Sequence, residues 1–305
     1  MLSAKIRSMH TPPLCDYEGS NYQQEFWEKG NRAYEDAAEA LALKKLLPHG
    51  GKHLLELGAG AGRNTHRYAG FEHITLLDYS STQLKQAIER YGTGPHFTYV
   101  VADVYQLPFA PNLFDAATMI RTLHHLADPR LALQRVHACL CAGAVFILEF
   151  ANKRNIKSIM RYMLGKQDWN PFSREAVEFV ELNFDFHPAW VKDILTSSGF
   201  DIQRQVSVSY LRSSLVKRAL PLRLMTALEA LLQLGFSWSA YSPSIFLKAV
   251  KSGQVHQPVN EMVFRCPACG HQPLPNTPPL ITCPACGRQY PFKDGMYDFR
   301  IDPVP

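Results

Sequence analysis

Apolar runs of five to seven residues recur through the middle of the chain, at 53–57, 74–79, 97–103, 114–120 and 144–150. Each is short, nearly continuous and followed by small or polar residues, which is the pattern of strands buried on both faces. Helical spacing fills the gaps. It is clear at 82–91 and again at 128–139, where Asp128-Pro129 forms a cap and first turn. Strands alternating with helices predict right-handed crossovers and a mainly parallel sheet. Upstream, Tyr34, Ala38 and Leu41, with Ala40, Leu43 and Leu47, repeat at helical spacing, so 21–47 is expected as one leading helix that stops at Pro48-His-Gly-Gly51. Residues 1–20 carry few structural signals. After 150 come a basic amphipathic stretch (152–161), a lid-like segment (171–188) and a helix at 189–198 closed by Gly199. A sixth strand is expected at 200–210 and a seventh at 244–250. The leucine-rich segment between them, about 211–240, predicts a helical insertion that caps a site, meets a membrane surface or a second copy, or packs on its own domain. Residues 252–258 have the look of a linker.

Composition narrows the class. The chain has 305 residues, 46% of them hydrophobic, and a formal charge of +5. That is enough apolar material for a sizeable core plus attachments. The charge is mildly basic and selects no partner by itself. No run of about 18 apolar residues exists, so no spanning helix is expected. Residues 1–15 lack the continuous apolar core of a leader peptide. Of seven cysteines, four fall in two Cys-Pro-Ala-Cys-Gly blocks, the usage of a metal site in a reducing compartment, and a cytoplasmic location is expected.

The most informative stretch is His-Leu-Leu-Glu-Leu-Gly-Ala-Gly-Ala-Gly-Arg-Asn-Thr, 53–65. It predicts a strand, a glycine turn and a helix. Glycines at 58, 60 and 62 let backbone N–H groups approach a ligand closely. A dinucleotide fingerprint would need glycine at 63, where this chain has Arg63. Glu56, just before the turn, would repel a pyrophosphate but suits a cationic ligand. These residues resemble motif I of the class I S-adenosylmethionine-dependent methyltransferases. The next stations resemble the family in order. Asp78 ends the second strand and is suited to the ribose hydroxyls of an adenosine; the alternative is that it and Asp103 only cap helices. Asp103 ends the third strand, and in the family an acid there meets the adenine amino group while the next N–H, of Val104, meets a ring nitrogen. The resemblance implies S-adenosylmethionine as cofactor, held by Glu56, Gly58, Ala59, Gly60, Gly62, Asp78, Tyr79, Asp103 and Val104. It implies an α/β fold with a Rossmann-like seven-stranded methyltransferase sheet and a helical lid or insertion. Domain bounds are expected at 1–48 for an N-terminal helical cap, from which Arg32, Tyr34 and Glu35 could reach the site, and at 49–252 for the methyltransferase domain.

Cys266, Cys269, Cys283 and Cys286 form two C-x-x-C knuckles separated by thirteen residues. Four thiolates can surround Zn2+ at about 2.3 Å and leave no position for water, so the site is expected to be structural. The segment 259–305 is therefore expected to be a small C-terminal zinc ribbon that needs the metal to fold. With Asp294-Gly295 and the aromatic tail to Phe299, residues 263–301 resemble the small zinc-ribbon family whose free-standing members activate methyltransferases.

The acceptor side rests on Ile120-Arg-Thr-Leu-His-His125. The Asn/Asp-Pro-Pro-Tyr/Phe motif of amino-group methyltransferases is absent, as is the Pro-Cys nucleophile of cytosine-C5 enzymes; Cys139 and Cys141 are expected as packing residues. Met119-Ile-Arg-Thr-Leu-His-His-Leu126 resembles the quinone-biosynthesis-like branch of the type 11 methyltransferases, which act on small molecules at carbon or oxygen. His124 or His125 could serve as general base, and Arg121 could orient an anionic group or pair with a neighbouring acid. A small-molecule acceptor is the first expectation. The alternatives are an RNA or protein acceptor docked through the ribbon, and a cofactor-binding protein without turnover.

Overall fold

The computed structural model describes residues 12–15, 18–20, 30–253 and 262–301. In chain order the elements are α1 (Ala33–Leu46), β1 (Gly51–Leu57), β2 (Phe71–Asp78), α2 (Ser81–Tyr91), β3 (Phe97–Val101), β4 (Phe114–Met119), α3 (Pro129–Cys139), β5 (Leu140–Ala151) and α4 (Ile156–Met163). A hairpin of β6 (Val177–Val180) and β7 (Asn183–Asp185) follows. Then come α5 (Pro188–Ser197), β8 (Phe200–Val208), α6 (Ser214–Ala219), α7 (Leu222–Gly235) and β9 (Ser244–Lys251). The C-terminal segment adds β10 (Leu280–Thr282), β11 (Gln289–Lys293) and β12 (Met296–Asp298).

The expected seven strands are present, but the sheet has ten, in the order β10-β11-β12-β3-β2-β1-β4-β5-β9-β8. From β3 to β5 all neighbours are parallel, and β9 is antiparallel to both β5 and β8. The strand count departs from expectation because the cysteine-bearing segment joins the sheet. Strand β12 pairs with β3 in parallel, Met296 opposite Tyr99 and Asp298 opposite Val101, and the Phe299 N–H donates to the Val101 carbonyl at 2.8 Å. Phe264, Ile281, Tyr290 and Phe299 are buried in the same core as Leu55, Val100 and Phe146. The core is thus continuous across the expected boundary between the two segments.

Local chemistry accounts for most element ends. Ser80 caps α2 by accepting from the Gln83 N–H, and Asp128 caps α3 by accepting from the Leu131 N–H at 3.0 Å, with Pro129 in the first turn. The leading helix is shorter than its pattern. It starts at Ala33 because Asn31, at φ 52°, breaks right-handed helical geometry; residues 21–29 of the expected span lie outside the described residues. Cys141-Ala-Gly143, expected as a turn, stays within β5, where the pairing with β4 shifts register between Phe114 and Ala116. Cys139 and Cys141 are buried, as expected of packing residues.

The insertion at 211–240 is helical. Its longer helix, α7, meets α1 through polar groups: the Tyr34 hydroxyl donates to Glu229 at 2.5 Å, and the Gln233 amide donates to the Ala38 carbonyl at 2.9 Å. Glu229 is fully buried and also accepts from the Ser209 N–H at 2.7 Å. Tyr34 and Glu35, expected to reach the site, are instead held on this side, Glu35 by Lys217 at 2.7 Å. The expected lid at 171–188 is the β6–β7 hairpin. No helix among the described residues is long and apolar enough to cross a membrane.

Candidate active site

A cleft partly open to solvent lies beyond the ends of β1, β2 and β4. Its floor is the turn after β1. Gly58 has φ +66°, and a Cβ there would sit 2.1 Å from Thr122 Oγ1, so only glycine fits. Gly60 has φ +53° and no neighbour within 3.9 Å of a Cβ, because its open side faces the cleft. The Gly60 N–H donates to Asp78 Oδ2 at 2.8 Å and the Ser80 N–H to Oδ1 at 3.0 Å, which fixes the carboxylate at the end of β2. The helix expected directly after this turn is a single 3₁₀ turn, Thr65–Tyr68. Only thirteen residues separate β1 from β2, too few for a turn and a full crossover helix, so no full helix points its dipole at the turn.

Glu56 is 4% exposed, and the Thr65 hydroxyl donates to it at 2.5 Å. Burial pushes its pKa up to about 7. Of the residues expected to bind cofactor, Glu56, Gly58, Ala59, Gly60, Asp78, Tyr79 and Val104 line the cleft. Gly62 stands outside the lining, its carbonyl accepting from the Tyr91 hydroxyl at 2.8 Å. Asp103 also stands outside it. It caps a short 3₁₀ turn by accepting from the Tyr105 N–H at 2.7 Å, and burial pushes its pKa up to about 6.

Another wall of the cleft is built by Thr118, Ile120, Arg121, Thr122, His125 and Leu126. Arg121 sits at φ +60°, with its N–H donating to Glu149 at 2.9 Å. Its guanidinium meets Glu39 of α1 at 2.5 and 2.7 Å, so of the alternatives the structure selects pairing with an acid. Arg63 bonds the same carboxylate at 2.5 Å. Burial alone would raise the pKa of Glu39, but the two guanidinium groups override it and hold the group near 2. The sequence reading missed Glu39, and it used Arg63 only to exclude a dinucleotide motif. The i, i+3 acids Asp36 and Glu39, opposite an arginine in the turn, were the available signal; Asp36 also takes Arg67 at 2.7 Å. Leu14 and Cys15 line the mouth, where Leu14 bridges to Leu126.

His124 and His125 have ring centroids 4.0 Å apart but differ in setting. His124 is outside the cleft lining, its Nδ1 is buried without a hydrogen-bond partner, and burial drives its pKa well below 6.5. His125 lines the cleft, and burial also lowers its pKa. Its Nδ1 lies 3.0 Å from the Leu182 carbonyl of the hairpin. A carbonyl only accepts, so Nδ1 carries the proton and Nε2 is the basic nitrogen of the neutral ring.

The cysteines form a second centre. The Sγ atoms of Cys266, Cys269, Cys283 and Cys286 all lie within 4.8 Å of one another, with Cys266–Cys286 at 3.7 Å and Cys269–Cys283 at 3.6 Å. A tetrahedron with arms of about 2.3 Å has edges of about 3.8 Å, so the set is spaced for one Zn2+. Each knuckle is closed by a backbone bond, Gly270 N–H to the Cys266 carbonyl and Gly287 N–H to the Cys283 carbonyl. The Tyr290 hydroxyl lies 3.0 Å from Cys266 Sγ.

Comparison with known proteins agrees with the cleft. Residues 55–148 match the family model described as a methyltransferase domain. The matched segment is less than half of the chain. It runs from β1 to β5 and holds most of the cleft. Among curated relatives, the chain is 29% identical over 149 residues to the O-methyltransferase cnsE of Penicillium expansum, covering 44% of this chain and 52% of that protein. It is 34% identical over 105 residues to a demethylmenaquinone methyltransferase of Chlamydia felis, covering 33% and 45%. The chain thus spans about half the length of the curated relatives it matches. In fold, it is similar to a chain in the complex of the Haloferax volcanii Trm112 methyltransferase activator with a methyltransferase. That match has a TM-score of 0.54 and 15% identity, over 76% of this chain and 96% of that one.

Proposed function

We propose that the chain is an S-adenosylmethionine-dependent methyltransferase acting on a small molecule at carbon or oxygen. One observation carries the reading: a buried acid, a glycine turn and a clamped strand-end acid meet in a single cleft of the methyltransferase domain. The donor set fits the cofactor chemically. Glu56 would face its positive groups, Asp78 its ribose hydroxyls, and the Val104 N–H its adenine, with Asp103, outside the lining, holding the turn that carries Val104. Bound there, the cofactor supplies a methyl group already activated by its sulfonium. What remains for the protein is to align the acceptor and exclude water. Thr118, Ile120 and Thr122 shape the acceptor wall, and Arg121 holds that wall to α1 through Glu39. Nε2 of His125 would take a proton where the acceptor has one to lose. Curated relatives named for O-methylation and for methylation of demethylmenaquinone support a small acceptor. We assign Zn2+ to the four cysteines as a structural ion, because four thiolates leave no open position. The domain plan proposed is a cap (1–48), a methyltransferase domain (49–252) and a ribbon (259–305).

The test is transfer of labelled methyl groups from S-adenosylmethionine into fractionated cell extract. Label in small molecules is expected. Label in RNA or protein would move the reading to a macromolecular acceptor met through the ribbon. Cofactor binding without label in any fraction would make this a non-catalytic binder.

A further inference from the structure

Helix α7 is inside-out. Its polar residues Glu229 and Gln233 face α1, while Leu224, Leu228, Leu231 and Leu234 point outward at 45, 36, 65 and 75% exposure. Their spacing of four, three and three makes a continuous leucine stripe. Just beyond the helix, Phe236 and Trp238 are 52 and 80% exposed. A second exposed apolar stretch lies on α4, whose N-terminus is joined to this corner by the Ile156 N–H donating to the Tyr241 carbonyl at 2.9 Å. There Ile156, Met160, Met163 and Leu164 are 58, 57, 78 and 63% exposed. A folded monomer rarely leaves this much apolar surface exposed.

The exposed charges on α4, α6 and α7 are all basic. Of the nearby cations, Lys153 is buried and Arg212 and Lys217 pair with Glu35, so the surface charge rests on Lys157, Arg161, Lys166, Arg218 and Arg223, with Asp168 just beyond them. Lys157 and Arg161 stand on α4 among its apolar residues, Arg218 near the end of α6 and Arg223 near the start of α7, all exposed. Arg154 lies over the Tyr241 ring at the joining corner. The acids Glu178 and Glu181, on the neighbouring hairpin, mark where this field stops.

We propose that α4, the 236–241 corner and the outer face of α7 form a docking surface for an anionic lipid bilayer. An apolar stripe enters the acyl boundary while flanking lysines and arginines meet the headgroups, and an exposed tryptophan suits the interface itself. A protein partner or a second copy would bury such a stripe without requiring two basic flanks. The inference does not depend on the reaction, since none of these residues lines the cleft.

The test is co-sedimentation of the full chain with vesicles of phosphatidylcholine alone and of phosphatidylcholine mixed equally with phosphatidylglycerol. Partition into the anionic vesicles is expected to be at least about tenfold stronger and to fall with added salt. Met160→Ser with Met163→Ser and Leu164→Ser should lower it roughly tenfold or more, because three side chains no longer enter the boundary. Lys157→Glu with Arg161→Glu should lower it to the level of neutral vesicles. Bound zinc and S-adenosylmethionine affinity, unchanged in both variants, report intact folding. Equal partition into both vesicle types, or none into either, overturns the proposal. So does a concentration-dependent dimer that the α4 variants dissolve without any vesicle binding.

Discussion

Replacing Glu56 by Gln tests the cofactor reading most directly, because the carboxylate is poised near neutrality. With a pKa pushed up to about 7, about one molecule in eleven carries the charge at pH 6 and about ten in eleven at pH 8. A cationic ligand that needs the charged form should therefore bind the native protein about tenfold more tightly at pH 8 than at pH 6 from this group alone. The Gln variant keeps the shape and can still accept from the Thr65 hydroxyl, but its affinity carries no such dependence. At pH 8 it should bind roughly 10- to 150-fold more weakly, the equivalent of about 1.5–3 kcal/mol for one hydrogen bond to a charged group. The amino group of S-adenosylmethionine titrates in the same range, so the useful quantity is the ratio of native to variant affinities, in which that effect cancels. Calorimetric titration at pH 6, 7 and 8 gives this ratio. A ratio that stays constant across the range would refute the assignment of Glu56 to the positive end of the ligand. Stability should move the other way. A raised folded-state pKa means that the Glu56 contribution is present below about 4.5 and is lost as pH rises to about 7, up to about 3 kcal/mol for that displacement. At pH 8 the ligand-free variant should melt no lower than the native protein.

Other parts of the structure give sharper structural readouts. Gly60→Arg places a side chain into the cleft, and Asp78→Ala removes the acceptor for the Gly60 and Ser80 N–H groups, so both should abolish or strongly weaken S-adenosylmethionine binding in a filter or calorimetric assay with zinc content unchanged. Arg63→Met strips one of two guanidinium partners from the fully buried Glu39 and should lower stability by about 3–5 kcal/mol in urea unfolding. Less than about 1 kcal/mol would mean that Arg121 alone neutralises the acid. Cys283→Ser should lower bound zinc and loosen the Tyr290–Phe299 core, read by metal analysis and near-UV circular dichroism; full zinc occupancy in that variant would contradict the four-thiolate site.

The strands from β1 to β5 were legible because both faces of β1, β2 and β4 are buried, which leaves an unbroken apolar run in the sequence. The glycine turn and the strand-end acid Asp78 were legible as local signals, but the clamp between them was not, since it depends on β1 and β2 lying side by side. What escaped the sequence was the chemistry that depends on distant packing. Glu39 and Arg63 are 24 residues apart and meet only because α1 folds over the turn. The β12–β3 pairing joins residues nearly two hundred positions apart, and nothing in either strand names the other. The inversion of α7 was hidden for a related reason. A leucine-rich amphipathic pattern tells where the apolar face lies but not which face the rest of the protein takes, and here buried Tyr34 and the backbone of 209–210 take the polar one.

The parallel pairing of β12 with β3 has a further consequence for how the chain comes into being. A parallel sheet that ended at β3 would present a row of unpaired N–H and C=O groups, a template on which nascent copies could add to one another. The strand that closes this edge is made after every other strand of the sheet, in the segment whose cysteines we assign to Zn2+. Zinc supply would then act as a maturation checkpoint. Synthesised in metal-poor medium, the chain should collect in aggregates even though the site of its chemistry lies wholly in the part already folded.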